Sequence, residues 1–193
     1  MDRDYDALPI RELGAGAGFR RPAQAQPGKV SLESPALEVM TDLRRTTPAT
    51  IRPQAPLAGA NEFMITRGVR LLLVVDDREN VIGVITATDL LGERAMRVAT
   101  GRGMRRDELT VADVMIPAEQ VEVIALENAA VARVGHVLET LRRAGRQHAL
   151  VVDAEHMVCG IFSLSQLARQ LGVSVATGGE VARTFSEIEA AIR

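Results

Sequence analysis

Leu72-Leu73-Val74-Val75-Asp76, followed after a short polar turn by Val81-Ile82-Gly83-Val84-Ile85-Thr86, is answered later in the chain by Ala149-Leu150-Val151-Val152-Asp153 and Val158-Cys159-Gly160-Ile161-Phe162-Ser163. The two stretches align without a gap at an offset of 77 residues (Leu72 to Ala149), and upstream Val39-Met40 answers Val114-Met115 at an offset of 75. Self-similarity at a fixed period signals one structural unit built twice. The difference between the two offsets puts a two-residue length change near the first strand or the loop after it.

Each copy reads in the same order: a short helical lead-in, a short strand, a helix, two strands joined by a tight polar turn, and a final helix. The first helix carries Leu57, Ala60 and Met64 on one face, and its counterpart Val131, Val134, Leu138 and Leu141, at spacings of three and four. Gly68 and Gly145 stand where those helices stop. The strands are continuous β-branched and Leu runs, the pattern of strands covered on both faces. The expected class is α/β (α+β): two βαββα-like repeats. A unit of about 60 residues buries too little surface for comfortable independent stability. The two are therefore expected to pack through their sheets with pseudo-twofold symmetry, leaving clefts between them where small ligands bind.

Composition narrows the function classes. The chain has 193 residues, 47% of them hydrophobic and 25% charged, as in an ordinary folded protein. Only 3% are aromatic, with no Trp, and the net charge is −2, which argues against stacking platforms for single strands and against general nucleic-acid binding. The one cysteine, Cys159, sits in an apolar run and reads as a small buried hydrophobe; it forms no intrachain disulfide. The N-terminus lacks the basic-then-apolar order of a signal peptide, and no apolar stretch reaches spanning length, so a cytoplasmic protein without membrane insertion is expected. His136, His148 and His156 do not fall at ligand spacing with carboxylates or Cys159, so no metal is expected. No nucleophile–base–orienter set is present either, and the chain does not read as an enzyme.

Residues 1–33, with Gly14, Gly16, Gly18, Pro22, Pro27 and Gly28, show no sustained period and read as a flexible arm. The repeats occupy 34–92 and 110–172. Between them, residues 93–109 carry Arg94, Arg97, Arg102, Arg105 and Arg106, a run that reads either as a solvated basic face or as a grip for outer phosphates or an acidic partner. In the segment 173–193, Val181, Phe185, Ile188 and Ile192 recur at helical spacing, an amphipathic stripe that packs back on its own module or covers a second subunit.

The hydrophobic pair followed by Asp, a polar turn, and then Gly-hydrophobic-hydrophobic-Ser/Thr-x-x-Asp opening a helix resembles the signature of the cystathionine β-synthase-type (CBS) domain. It stands as Val74-Val75-Asp76 with Gly83-Val84-Ile85-Thr86-Ala87-Thr88-Asp89-Leu90, and again as Val151-Val152-Asp153 with Gly160-Ile161-Phe162-Ser163-Leu164-Ser165-Gln166-Leu167. Departures are Leu73 and Leu150, where many members have Pro, and Gln166, where the family has Asp. The resemblance implies a tandem CBS pair, or Bateman module: a regulatory, energy-sensing unit that binds AMP, ADP, ATP or a related adenosyl ligand between its repeats. S-adenosylmethionine and NADH belong to the same candidate set. It also implies disk-like homodimers and a separate enzyme or transporter that receives the signal.

Carried over by residue, the resemblance implies that Thr86 and Thr88 donate to a phosphate and Asp89 accepts from the ribose hydroxyls. Pro117, Glu122, Arg146, Gln147, His148 and Ala149 of the other copy would complete that site, the last four meeting the adenine edge through their backbone. A weaker second site would join Ser163, Ser165 and Gln166 to Thr47, Thr50, Val69, Arg70 and Leu71, with Gln166 ill suited to ribose. A strand feeding directly into a helix offers free N–H groups and a positive dipole end to an anion. Spacing alone, however, reads Thr86-x-x-Asp89 and Ser163-x-x-Gln166 as capping boxes that need no ligand. A ligand-free dimerisation or scaffold module with decayed sites is accordingly the alternative, with Gln166 and Glu122 as its signs.

Overall fold

The computed structural model describes residues 30–173, 185–188 and 190. The arm expected over residues 1–33 lies outside the described residues as far as residue 29, as do Val181 and Ile192 of the C-terminal stripe; Phe185 and Ile188 are buried in the core of the second repeat.

The first half contains β1 (Thr41–Asp42), β2 (Thr50–Ile51), α1 (Leu57–Arg67), β3 (Leu71–Val75), β4 (Val81–Thr86), α2 (Ala87–Leu91) and α3 (Glu93–Arg102). The second contains α4 (Val111–Val114), β5 (Ile116–Pro117), β6 (Val123–Ala125), α5 (Leu126–Val131), α6 (Val134–Ala144), β7 (His148–Val152), β8 (Val158–Ser163) and α7 (Leu164–Gln170). The α/β class and the pair of sheets follow the expectation, but the sheets are not one per repeat. Their orders are β2-β3-β4-β5 and β1-β8-β7-β6, so each repeat's lead-in strand completes the other repeat's sheet.

The exchange is symmetric to the residue. Asp42 pairs with Gly160 and Pro117 with Gly83; Thr41 pairs with Ile161 and Ile116 with Val84. The turns before these strands cross over too: Ala36 and Val39 are buried in the core of the second repeat, and Val111 and Val114 in that of the first. Backbone bonds tie them there, from Ala36 N–H to Ala132 O and from Val111 N–H to Ala55 O. Glycine in β4 and β8 is what lets the lead-ins approach. A Cβ on Gly83 would stand 2.6 Å from the Ile116 carbonyl oxygen, and one on Gly160 would collide with the Met40 thioether.

The length change between the copies resolves into two. The second copy is shorter between its exchanged strand and its parallel strand, and longer between that strand and its main helix, where the added residues form α5. Val131 ends α5 and is 84% exposed, which corrects its placement on the apolar face of α6. Arg133 N–H donates to His136 Nδ1 and starts α6 afresh, so the helical period does not run through from Val131. Val134, Val137, Leu138 and Leu141 are the buried face. Both main helices end on glycine in the left-handed region, Gly68 at φ 64° and Gly145 at φ 61°.

Alternation on the strands divides the core. Leu72 and Val74 face the helices of their own repeat, while Leu71, Leu73 and Val75 join Val84 and Leu150 in the layer between the sheets. Leu73 and Leu150, where the family favours Pro, thus fill the intersheet layer, and the Leu73 N–H donates to Ala49 O, a bond that proline lacks. The aspartate of each signature pins the hairpin. Asp76 Oδ1 accepts from the N–H groups of Arg78 and Asn80, and Asp153 Oδ1 from those of Glu155 and Met157. The Asn80 side-chain amide, donating to Asp76 Oδ2, comes first and the Asn80 backbone N–H second in holding the Asp76 carboxyl below the usual carboxylate range.

The two glycines differ in what an added methyl would meet. Gly83→Ala is expected to cost about 1–3 kcal/mol in urea unfolding because backbone must move, whereas Gly160→Ala is expected to cost less because a flexible Met40 side chain can turn aside. Equal losses, or a larger loss at Gly160, would contradict this account.

Candidate functional site

The β4–α2 corner of the first repeat looks across at the starts of β6 and β7 in the second. Between them lies a cleft of about 190 Å³ lined by Thr86, Thr88 and Asp89 on one side and Glu122, Arg146, Gln147 and His148 on the other. Leu71, Val84, Val121, Leu150 and the exchanged Ile116 form its apolar wall. Pro117 and Ala149, expected at this site, do not line it. Pro117 is paired to Gly83 one residue past Ile116, and Ala149 alternates away from the cleft to pack on the core of its own repeat. Leu71, expected at the second site, lines this one because odd positions of β3 face the opposite sheet. Ile116 and Val121 were not singled out from sequence; the exchange that brings Ile116 here leaves no mark in the pattern, and Val121 lies just before β6.

Thr86 and Asp89 form a full capping box. Asp89 N–H donates to Thr86 Oγ1 at 3.3 Å, and Asp89 Oδ2 accepts from Thr86 N–H at 2.9 Å and from the Thr86 hydroxyl at 2.5 Å. Both incoming bonds fall on Oδ2. The N–H of Ala87 is used as well, donating to Arg70 O at 3.0 Å. Of the first turn of α2, a helix of five residues, the exposed Thr88 is left with an N–H outside these bonds. The anion cradle expected at this corner is therefore reduced to Thr88.

Across the cleft, Arg146 and Glu122 form an ion pair at 3.3 Å, with Glu122 79% exposed. His148 differs from both. Its Nδ1 is buried without a hydrogen-bond partner. Burial first, and the nearby Arg70 guanidinium second, push its pKa down to about 4, so the ring is neutral at physiological pH. A buried polar nitrogen left unpaired costs free energy.

The pseudo-equivalent corner of the second repeat is built differently. Ser163 makes no side-chain cap, which corrects the capping box expected there. Its hydroxyl lies 3.0 Å from that of Ser165, and Gln166 Oε1 accepts from Thr41 Oγ1 at 2.9 Å. Thr41 occupies on its exchanged strand the position of Ile116 on the other, so one corner receives a hydroxyl where the other receives a methyl-rich side chain. Of the remaining residues of this second set, Thr47 is exposed, Thr50 lies on β2, and Val69 and Arg70 lie between α1 and β3.

The arginines of 93–109 are largely engaged in structure. Arg94 donates to the carbonyls of Val114 and Met115, Arg106 to that of Leu90, and Arg102 and Arg105 pair with Asp113 and Asp107. Arg94 and Arg102 in this way fasten the exchanged lead-in of the second copy to α3. Cys159 is buried, and burial pushes its thiol up. Among the described residues no group of His, Cys, Asp and Glu could hold a metal ion, and no helix is long and apolar enough to cross a membrane.

Residues 37–95 match the family model of the CBS domain. A search of curated proteins found no match. Among solved structures, an uncharacterized conserved protein from Pyrococcus horikoshii is similar at 22% identity, with a TM-score of 0.56, over 77% of this chain and 100% of its own. CBSX2 in complex with AMP is similar at 21% identity and a TM-score of 0.51, over 70% of this chain and 94% of its own; its source is Arabidopsis thaliana. The CBS domain pair of protein MJ0100, in complex with 5′-methylthioadenosine and S-adenosyl-L-methionine, is similar at 18% identity and a TM-score of 0.51, over 70% of this chain and 98% of its own. At these identities the likeness is one of fold. The chain thus carries a CBS domain at residues 37–95, repeats that unit in its second half, and has the fold of a tandem CBS pair.

Proposed function

We propose that this chain is a ligand-sensing module that binds one adenosyl ligand in the cleft between Asp89 and His148 and passes the event to a partner protein. The observation that carries the reading is His148, which lines the cleft opposite the Thr86–Asp89 corner and whose Nδ1 is buried without a partner. Asp89 Oδ1, outside the capping bonds, accepts from ribose hydroxyls; His148 meets the base; Ile116, Val84 and Leu150 cover the apolar faces of the ligand. AMP in the CBSX2 structure and the two adenosyl ligands in the MJ0100 structure support this chemistry by likeness of fold. Occupancy would shift the relative setting of the repeats only through unequal affinity for two arrangements. Dimerisation into a disk is part of the same proposal.

A second reading, a scaffold with decayed sites, is favoured by the Gln166–Thr41 bond, which ties up the second corner. It accounts for one corner and leaves the orphaned His148 nitrogen unexplained, so one ligand per chain is the better reading.

Denaturant unfolding with and without AMP and 5′-methylthioadenosine tests it. Saturating ligand at a hundred times its Kd adds about 2.7 kcal/mol to stability. Asp89→Ala is expected to lose about 1 kcal/mol without ligand, from the cap, and to lose the ligand-dependent gain as well. Retention of that gain in Asp89→Ala would move the ligand elsewhere, and no gain in the unaltered chain would leave the scaffold reading.

His148 gives an independent check. Its folded pKa lies below the unfolded value, so the unfolded chain takes up a proton first, and the stability contributed by the neutral ring is lost as pH falls from about 6.5 towards 4. His148→Gln is expected to flatten the stability profile in that window; an unchanged profile would mean that the ring is solvated.

A further inference from the structure

Resting on the reading that the cleft holds an adenosyl ligand, we infer that it selects ligands whose 5′ substituent carries no polyphosphate, with adenosyl thioethers and sulfoniums preferred over nucleoside di- and triphosphates. A phosphate chain in this cleft would meet few positive charges and few free donors.

Two carboxylates, Asp89 and Glu122, line the cleft, and the guanidinium that lines it, Arg146, is already paired with Glu122 at 3.3 Å. Arg70 stands near His148 without lining the cleft. The imidazole itself is neutral at physiological pH and adds no positive charge. Each phosphate brought in must therefore compete with Glu122 for one arginine, under repulsion from two acids.

Donors are equally scarce. Phosphate sites at strand-to-helix corners work by presenting several free N–H groups. Here those of Ala87 and Asp89 are taken by Arg70 O and Thr86 Oγ1, and the Thr86 hydroxyl is given to Asp89. At this corner Thr88 is left to meet an anion, and across the cleft Gln147 offers only an uncharged amide.

Of the five arginines that follow α2, the exposed Arg97 does not line the cleft and the other four are engaged elsewhere. Arg94 and Arg106 are spent on backbone carbonyls, and Arg102 and Arg105 on Asp113 and Asp107. To reach a polyphosphate, Arg94 and Arg106 would have to abandon carbonyls at helix ends, those bound by Arg94 belonging to the exchanged lead-in, and Arg102 and Arg105 would have to leave their carboxylates. A neutral thioether asks for none of this: it lies against Ile116, Val84 and Leu150. A sulfonium gains from the acidic balance of the cleft.

The test is calorimetric titration of the full chain at fixed ionic strength with adenosine, 5′-methylthioadenosine, S-adenosylmethionine, AMP, ADP and ATP. Affinity is expected to fall with each added phosphate, ATP binding at least about tenfold more weakly than 5′-methylthioadenosine. Glu122→Gln removes one carboxylate and releases Arg146, so the ratio of AMP affinity to 5′-methylthioadenosine affinity is expected to rise several-fold within that variant. ATP binding as tightly as AMP or 5′-methylthioadenosine, or an unchanged ratio in Glu122→Gln, would overturn the inference while leaving the sensing reading in place. Absence of binding by all six would sink the sensing reading itself.

Discussion

Met40 against Gly160 and Met115 against Gly83 are the contacts on which the rest of the architecture depends. Each repeat sends its lead-in turn and strand across to the other, where they close a sheet and fill a core, and a glycine in the receiving strand leaves room, against backbone at Gly83 and against the Met40 side chain at Gly160. Val39 and Val114, both fully buried, anchor the crossing by the hydrophobic effect, at about 1.5–3 kcal/mol for a side chain of that kind. Neither repeat then has a complete core or sheet of its own. The symmetry of the registers, Asp42 with Gly160 and Pro117 with Gly83, follows from the same constraint applied twice.

The gapless repeat made the fold class, the paired sheets and the glycine helix stops legible in the sequence, because periodicity and stop residues are local signals. The exchange was not legible, since an apolar pattern says that Val39 is buried and not against which partner. Val131 shows a different limit. Its spacing of three from Val134 fits a helix on paper, but a cap at Arg133 decides where the helix begins, and that cap uses a histidine, outside the usual Glu or Gln.

The site was legible in part for similar reasons. Thr86, Thr88 and Asp89 lie on one corner, and Glu122, Arg146, Gln147 and His148 sit at the starts of two adjacent strands, so short-range order places each group. Strand alternation, applied residue by residue, separates His148 and Leu150 from Ala149 and assigns Leu71 to this cleft. The Ser163 corner could not be read this way: the partner that takes Gln166 is 125 residues distant in the chain, and no local pattern announces it. Nor could local pattern show that Arg94 and Arg106 of the arginine run would turn to backbone carbonyls.

The two corners, alike in backbone, have diverged through the exchanged strands that pass them. Thr41 brings a hydroxyl to one and draws Gln166 into a structural bond; Ile116 brings only methyl groups to the other, leaving Asp89 to Thr86 and the cleft. The strand that closes the sheet of the first repeat is thus also a wall of the site, and it belongs to the second repeat. A molecule in the cleft touches the β4–α2 corner, the start of β7 and this crossing strand at once. Any preference it has for one spacing of the sheets is felt by the strand that holds the repeats together, and the intersheet layer of Leu71, Leu73, Val75 and Leu150 has to repack or resist. On the proposed reading, ligand binding and architecture would share the same residues, so a ligand too small to bridge the two sides would bind without shifting the sheets.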